Sequence, residues 1–127
     1  MNARRVFGIT RMTVGASSWI APRAAGYTFG LGDVADDSRA ALVARLFGSR
    51  DLVLGGALVA ASDAEAVRSA LALGVAVDLL DVVATVLGTH RGVSKTGAVL
   101  VGGGAALFAT FGVMLLIRGE QAPIGPA

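Results

Sequence analysis

The stretch VRSALALGVAVDLLDVVATVLG, at residues 67–88, decides the fold expected for this chain. Its length lies within the range of about 17–25 residues that a membrane-spanning helix requires. Its charged residues are Arg68 at one edge and Asp78 and Asp81 in the interior. The stretch therefore predicts a transmembrane helix that carries two carboxyl groups into the bilayer.

Three further apolar stretches extend this pattern along the chain, at residues 6–21, 41–62 and 93–117. Short polar turns separate the later stretches. Residues 23–37 form a longer, glycine-rich connection with Tyr27 and Phe29, and aromatic side chains favour the headgroup zone. We therefore predict an interfacial loop there. The sequence as a whole predicts an all-α integral membrane protein, a four-transmembrane-helix bundle.

This bundle would form a single domain over residues 1–118, followed by a disordered tail at residues 119–127. The basic residues divide almost evenly between the two predicted membrane faces, so the positive-inside rule leaves the orientation open. The expected location is the cell (inner or plasma) membrane, with several passes through the bilayer.

The composition indicates that lipid surrounds part of the protein. Of the 127 residues, 54% are apolar and only 16% are charged, and the mean hydropathy is +0.71. Soluble domains carry about 25% charged residues. The net charge of +2 is not concentrated in one basic run, so no nucleic-acid partner is expected. Without Cys and with one His, the sequence predicts no metal site and no cofactor.

Five ionisable residues lie inside the predicted helices: Arg11, Arg50, Asp51, Asp78 and Asp81. Each such charge costs about 2.5–3.5 kcal/mol on insertion scales, so it requires a partner or a function.

Several of these charges share a helix face with small residues. Asp78 and Asp81 lie on one face with Thr85, because residues three or four apart are neighbours on a helix. Arg11 follows the same spacing with Gly8 and Gly15. Such faces pack inward. On the last helix, small residues at steps of four predict a packing ridge made of Ala98, Gly102, Ala106 and Thr110.

Depth along the helices indicates which charges can meet. At about 1.5 Å of rise per residue, Arg50 and Asp81 should lie nearly level. The long side chain of Arg11 should reach Asp78. Asp51 should share one of these two arginines with its other carboxylate partner. The resulting network of two cations and three anions either sets the helix register or forms a site.

Two segments resemble a known family. They are ARLFGSRD at residues 44–51, followed by LVLGG, and VDLLD at residues 77–81. Both are similar to motifs of small bacterial and fungal four-helix membrane proteins catalogued as a domain of unknown function and loosely DoxX-like in shape. The resemblance implies the four-helix architecture and the same polar residues, and it implies no reaction.

Two function classes stay open at this point. The first is a small binding or accessory protein in the lipid bilayer, as a homo-oligomer or a subunit of a larger complex, whose polar network holds helices or the headgroup of a lipid-like ligand. The second is a membrane enzyme or proton-coupled carrier for a lipophilic quinone, polyprenyl or lipid, with Asp78 or Asp81 as the acid/base group and an arginine that fixes an anionic group.

Overall fold

The computed structural model describes residues 1–30 and 36–119, and five α-helices make up this part of the chain. They are α1 (Ala3–Ile20), α2 (Pro22–Thr28), α3 (Ser38–Ala60), α4 (Ala64–Thr89) and α5 (Lys95–Arg118). The all-helical class is confirmed. The tail predicted at residues 119–127 lies outside the described residues, except for Gly119.

Helices α1, α3 and α4 begin three residues before the predicted stretches, at 3, 38 and 64 instead of 6, 41 and 67. Polar residues start these helices. The carboxylate of Asp37 accepts a hydrogen bond from a backbone N–H of the first turn of α3 at 2.8 Å, and that of Asp63 does the same for α4 at 2.8 Å. Such caps satisfy N–H groups that have no partner within the helix. The apolar pattern of the sequence does not extend into these polar first turns, so it places the helix starts too late.

The predicted interfacial loop at residues 23–37 is helical over its first part. Helix α2 starts with Pro22, which is well suited to the first position of a helix because its φ is already fixed and its missing N–H is not needed there. The helix has only seven residues, too few for an apolar pattern to be recognised. The structure therefore corrects this part of the predicted loop.

Helices α1 and α3 pack against each other along an antiparallel glycine seam. Gly8 faces Gly55, and about two helical turns further along α1 Gly15 faces Gly48. A Cβ atom at Gly15 would lie 2.5 Å from the carbonyl oxygen of Gly48. The two backbones therefore approach as closely as they do because neither residue has a side chain.

Helices α4 and α5 form a second antiparallel pair. Gly102 lies against Thr85, and Gly112 lies against Val75. The buried face of α5 carries Gly97, Ala105, Ala109, Gly112 and Leu115. The predicted ridge is therefore partly wrong, since Ala106 and Thr110 are exposed. Small residues occupy both faces of this helix, so spacing alone did not identify the packed one.

An apolar cluster joins the two helix pairs near the chain termini. It consists of Phe7, Leu58, Val67, Leu71 and Leu115. At the same end, Nη1 of Arg4 donates a hydrogen bond to the backbone carbonyl of Ala61 at 2.8 Å, just after α3 ends. This arrangement fixes the start of α1 beside the α3–α4 connection.

Two helices in the described part of the chain, α4 and α5, are long and apolar enough to cross a membrane. Helices α1 and α3 each carry three or more charged residues and do not meet the same criterion.

Candidate functional site

The centre of the molecule contains a buried group of three charges from three helices. Nη1 of Arg11 on α1 donates a hydrogen bond to Oδ1 of Asp51 on α3 at 2.9 Å. Its Nη2 donates to Oδ2 of Asp78 on α4. All three side chains are about 2% exposed. A single guanidinium therefore connects two carboxylates of different helices.

Local sequence makes room for this guanidinium. Gly74 on α4 lies opposite it, and a Cβ atom there would be 3.7 Å from Nη2 of Arg11. Aromatic rings cover the group on other sides, with its Cζ 4.7 Å from the ring centroid of Phe108 and 5.5 Å from that of Phe7. A cation over an aromatic face is attracted by the ring electrons.

A second charge pair lies beside the first. Nη1 of Arg50 on α3 donates a hydrogen bond to Oδ1 of Asp81 on α4 at 2.8 Å. Nη2 lies 2.7 Å from Oδ2 of the same carboxylate, although this second contact is not aligned as a hydrogen bond. Nη2 is also 3.9 Å from Oδ1 of Asp51, which links both groups into one network. The ring of Phe47 lies 3.9 Å below the guanidinium.

The structure thus brings together Arg11, Arg50, Asp51, Asp78 and Asp81, with the partners that helix depth indicates. Thr85 is different. Its hydroxyl donates to the backbone carbonyl of Asp81 at 2.7 Å, one helical turn earlier, and does not bond to a side chain of the network. A role of these residues in ligand binding stays a prediction.

A cavity of about 270 Å³ opens beside the network. One wall is formed by the charged residues Arg50, Asp51, Asp78 and Asp81, which expose very little polar surface to the cavity. The other walls are apolar and come mainly from α5 and from the aromatic residues, with Leu100, Val101, Leu107, Phe108, Phe29 and Phe47. The cavity is therefore almost wholly apolar and borders the charge network on one side.

A second cavity of about 290 Å³ lies next to the first. The two share Phe29, Phe47, Asp81 and Val101 as lining residues. The second cavity runs between α4 and α5 toward their connection, and Thr85 lines it. Thr85 thus lies along the same elongated space as the charge network, one turn from it.

Sequence reasoning missed the aromatic lining of this site. Phe47 precedes Arg50 by three residues on α3, a spacing that places both on one helix face and could have indicated the contact. Phe29 was assigned to the interfacial loop, and nothing in its neighbours along the chain indicates that it lines a cavity. Within residues 1–30 and 36–119, no group of three His, Cys, Asp or Glu side chains is arranged to hold a metal ion.

The fold and this site define an all-helical protein with two helices able to cross a membrane and a charged interior. Residues 8–115 match the model of a family described as Domain of unknown function (DUF4267). The match covers most of the chain, so the chain belongs to this family. It includes the five charged residues of the network and the lining of both cavities. No curated protein and no solved structure matches the chain.

Proposed function

We propose that this chain is a multi-pass protein of the cell membrane, whose helices α1, α3, α4 and α5 form a four-helix bundle that binds an amphiphilic, lipid-like ligand. The apolar surfaces of α4 and α5 support the membrane assignment. Only 17% and 22% of their most apolar segments are buried within the protein. A core helix of a soluble protein would be mostly buried, so these exposed apolar surfaces favour lipid as the surrounding solvent.

The distribution of side chains supports spanning by α1 and α3 as well. The fully buried large side chains include Arg11, Asp51 and Asp78, whereas Leu46 and Val53 of α3 are 62% and 69% exposed. Soluble proteins bury charged side chains rarely, and only when they are paired. A charged interior with an apolar exterior is the arrangement expected where lipid surrounds the helices.

The observation that carries the binding proposal is the cavity, which is apolar except where it meets the charged residues. A ligand with a polar head and an apolar body matches Asp78 and Arg50 on one side and Leu107 and Phe108 on the other. Ligand sites are typically concave and apolar, with a few polar groups that fix orientation. The protein would act as a binding or accessory subunit, alone, as a homo-oligomer or within a larger membrane complex. We also propose that this family is related to the DoxX-like membrane proteins, whose shape the sequence motifs suggest.

Native mass spectrometry of the protein, extracted from its own membrane in a mild detergent, tests this function. Val101 lines both cavities, and Val101→Phe should fill the space where they meet. Val113 lies on the same helix, is 40% exposed and lines neither cavity, so Val113→Phe is the matched control. We expect a bound lipophile on the natural protein and on Val113→Phe but not on Val101→Phe. Equal occupancy in all three, or none in any, would contradict the proposal.

A second candidate function is catalysis or proton-coupled transport on the same lipophile. The specific observation in its favour is that Asp78 and Asp81 both line the cavity, where either carboxyl group could exchange a proton with a ligand. Asp81→Asn distinguishes the two functions. Compared with the natural protein at equal lipophile occupancy, it should abolish proton uptake or turnover if Asp81 is the acid/base group, whereas a protein that only binds the lipophile shows neither activity.

A further inference from the structure

We infer that the ligand head is a neutral, ring-sized group bearing hydroxyls, of the phenol or quinol type, and not an anionic phosphate or carboxylate; this rests on the binding function proposed above. The charges that line the cavity give the first reason. Three of the four are carboxylates, those of Asp51, Asp78 and Asp81, and the fourth is the guanidinium of Arg50. An anionic head would therefore meet an excess of negative charge.

Neither arginine offers a free cationic end. Arg11 lies behind the carboxylates, and its two terminal nitrogens donate to Asp51 and Asp78. Both terminal nitrogens of Arg50 lie within 2.8 Å of the carboxylate oxygens of Asp81. Binding of phosphate by arginine uses such paired terminal N–H groups. Here carboxylates of the protein lie against these terminal nitrogens and form ion pairs with both arginines.

The polar atoms that remain are mostly acceptors. Asp51 uses Oδ1 and Asp78 uses Oδ2 to accept hydrogen bonds from Arg11, while their other oxygens accept none from the described residues. Both side chains are at least nine-tenths buried and line the cavity. A ligand that donates two hydrogen bonds would satisfy these carboxylate oxygens.

One donor also lacks a partner, and a head group that only donates hydrogen bonds would leave it so. Nε of Arg50 is buried and donates no hydrogen bond within the described residues. An ammonium group has donors but no acceptor, whereas a hydroxyl oxygen can donate and accept at once. A hydroxylated head can therefore donate to the carboxylate oxygens and still offer an oxygen that accepts a hydrogen bond.

The size and walls of the cavity indicate a ring. Its volume of about 270 Å³ exceeds the roughly 150 Å³ of a dry engineered cavity that accepts benzene. Phe47 and Phe108 contribute aromatic walls next to the charged residues, and aromatic rings pack favourably against each other. The second cavity, continuing past Thr85, leaves space for an apolar chain.

The test uses four probes that share a benzene ring with a hexyl chain on the ring and differ only in the head group. They are hexylresorcinol with two hydroxyls, para-hexylbenzoate with a free carboxylate, para-hexylbenzylamine with a free ammonium, and hexylbenzene with no polar group. Saturable binding is measured on the full chain in phosphatidylcholine nanodiscs, after subtraction of partitioning into empty nanodiscs. We expect hexylresorcinol to bind at least about tenfold more tightly than the other three. Asp78→Asn should reduce that preference, and Val113→Phe should leave it unchanged.

The comparison among probes is made on the natural protein, so it does not depend on whether a variant folds. Tighter or equal binding of hexylbenzoate would overturn the inference in favour of an anion site, and that of hexylbenzylamine in favour of a cation site. Saturable, equal binding of hexylbenzene that Val101→Phe abolishes would overturn the hydroxyl inference but leave the proposed binding function standing. No saturable binding of any probe would count against both.

Discussion

Arg50 and Asp81 face each other across the two helix pairs, with Nη1 and Oδ1 2.8 Å apart and Nη2 and Oδ2 2.7 Å apart. They are the partly accessible members of the network, 27% and 17% exposed. The Arg11 group is only about 2% exposed. The two parts of the network therefore stand in different surroundings and should respond differently to substitution.

The first prediction concerns this accessible pair. Arg50→Gln and Asp81→Asn should each destabilise the protein, and the loss in the double variant should be smaller than the sum of the two single losses. A coupling of about 1–3 kcal/mol is expected for residues in direct ionic contact. Reversible unfolding in mixed micelles, followed by circular dichroism, measures the cycle. Additive effects within about 0.5 kcal/mol would show that the two side chains do not interact.

The second prediction concerns the buried arginine. Arg11→Met removes the cation that, among residues 1–30 and 36–119, donates to both Asp51 and Asp78. Breaking a buried ion pair by removing one partner costs about 3–5 kcal/mol, because the remaining charge is left uncompensated. Arg5 on the same helix is exposed, so Arg5→Met is the matched control and should change stability little. The same unfolding measurement compares the two, and equal losses would contradict the arrangement around Arg11.

Much of this network could be predicted from the sequence. Inside an apolar helix a charged residue stands out, and the regular rise of a helix fixes its depth. Those two facts are enough to match Arg50 with Asp81 and Arg11 with Asp78. The inward direction of these residues follows from the small residues that share their faces, such as Gly15 on α1 and Gly74 on α4.

Other features depend on packing and could not be obtained in this way. Helix α5 has small residues on both faces, so its spacing does not distinguish buried Ala105 from exposed Ala106. The cavity is set by the separation of the two helix pairs, which no local pattern encodes. Phe29 lines both cavities although it follows a short helix that carries no recognisable apolar pattern.

The third prediction tests the glycine seam between α1 and α3. Gly48→Ala places a Cβ atom 2.5 Å from the carbonyl oxygen of Gly15, so the helices must separate. Overpacking of this kind typically costs about 1–3 kcal/mol. Gly56 on the same helix has open space around it, and Gly56→Ala should cause no loss. Unfolding in micelles measures both variants. A harmless Gly48→Ala would mean that the helices do not meet along this seam.

The last prediction tests the passage of α4 through the bilayer. The chain has no Cys, so single cysteines introduced at chosen positions report without background. Ser62 precedes α4, His90 follows it, and both are exposed. In sealed vesicles a membrane-impermeant maleimide added outside should label only one of Ser62→Cys and His90→Cys, and inverting the vesicles should exchange them.

Leu79 lies midway along α4 and supplies the sharper measurement. It is 53% exposed on the protein, as accessible as many surface residues, and in water Leu79→Cys would react readily. Within the hydrocarbon it should stay unlabelled in intact vesicles, because the reactive thiolate does not form there and the polar reagent does not enter. Labelling should appear only after unfolding in detergent. Rapid labelling of Leu79→Cys in sealed vesicles would remove the basis for a membrane-spanning α4.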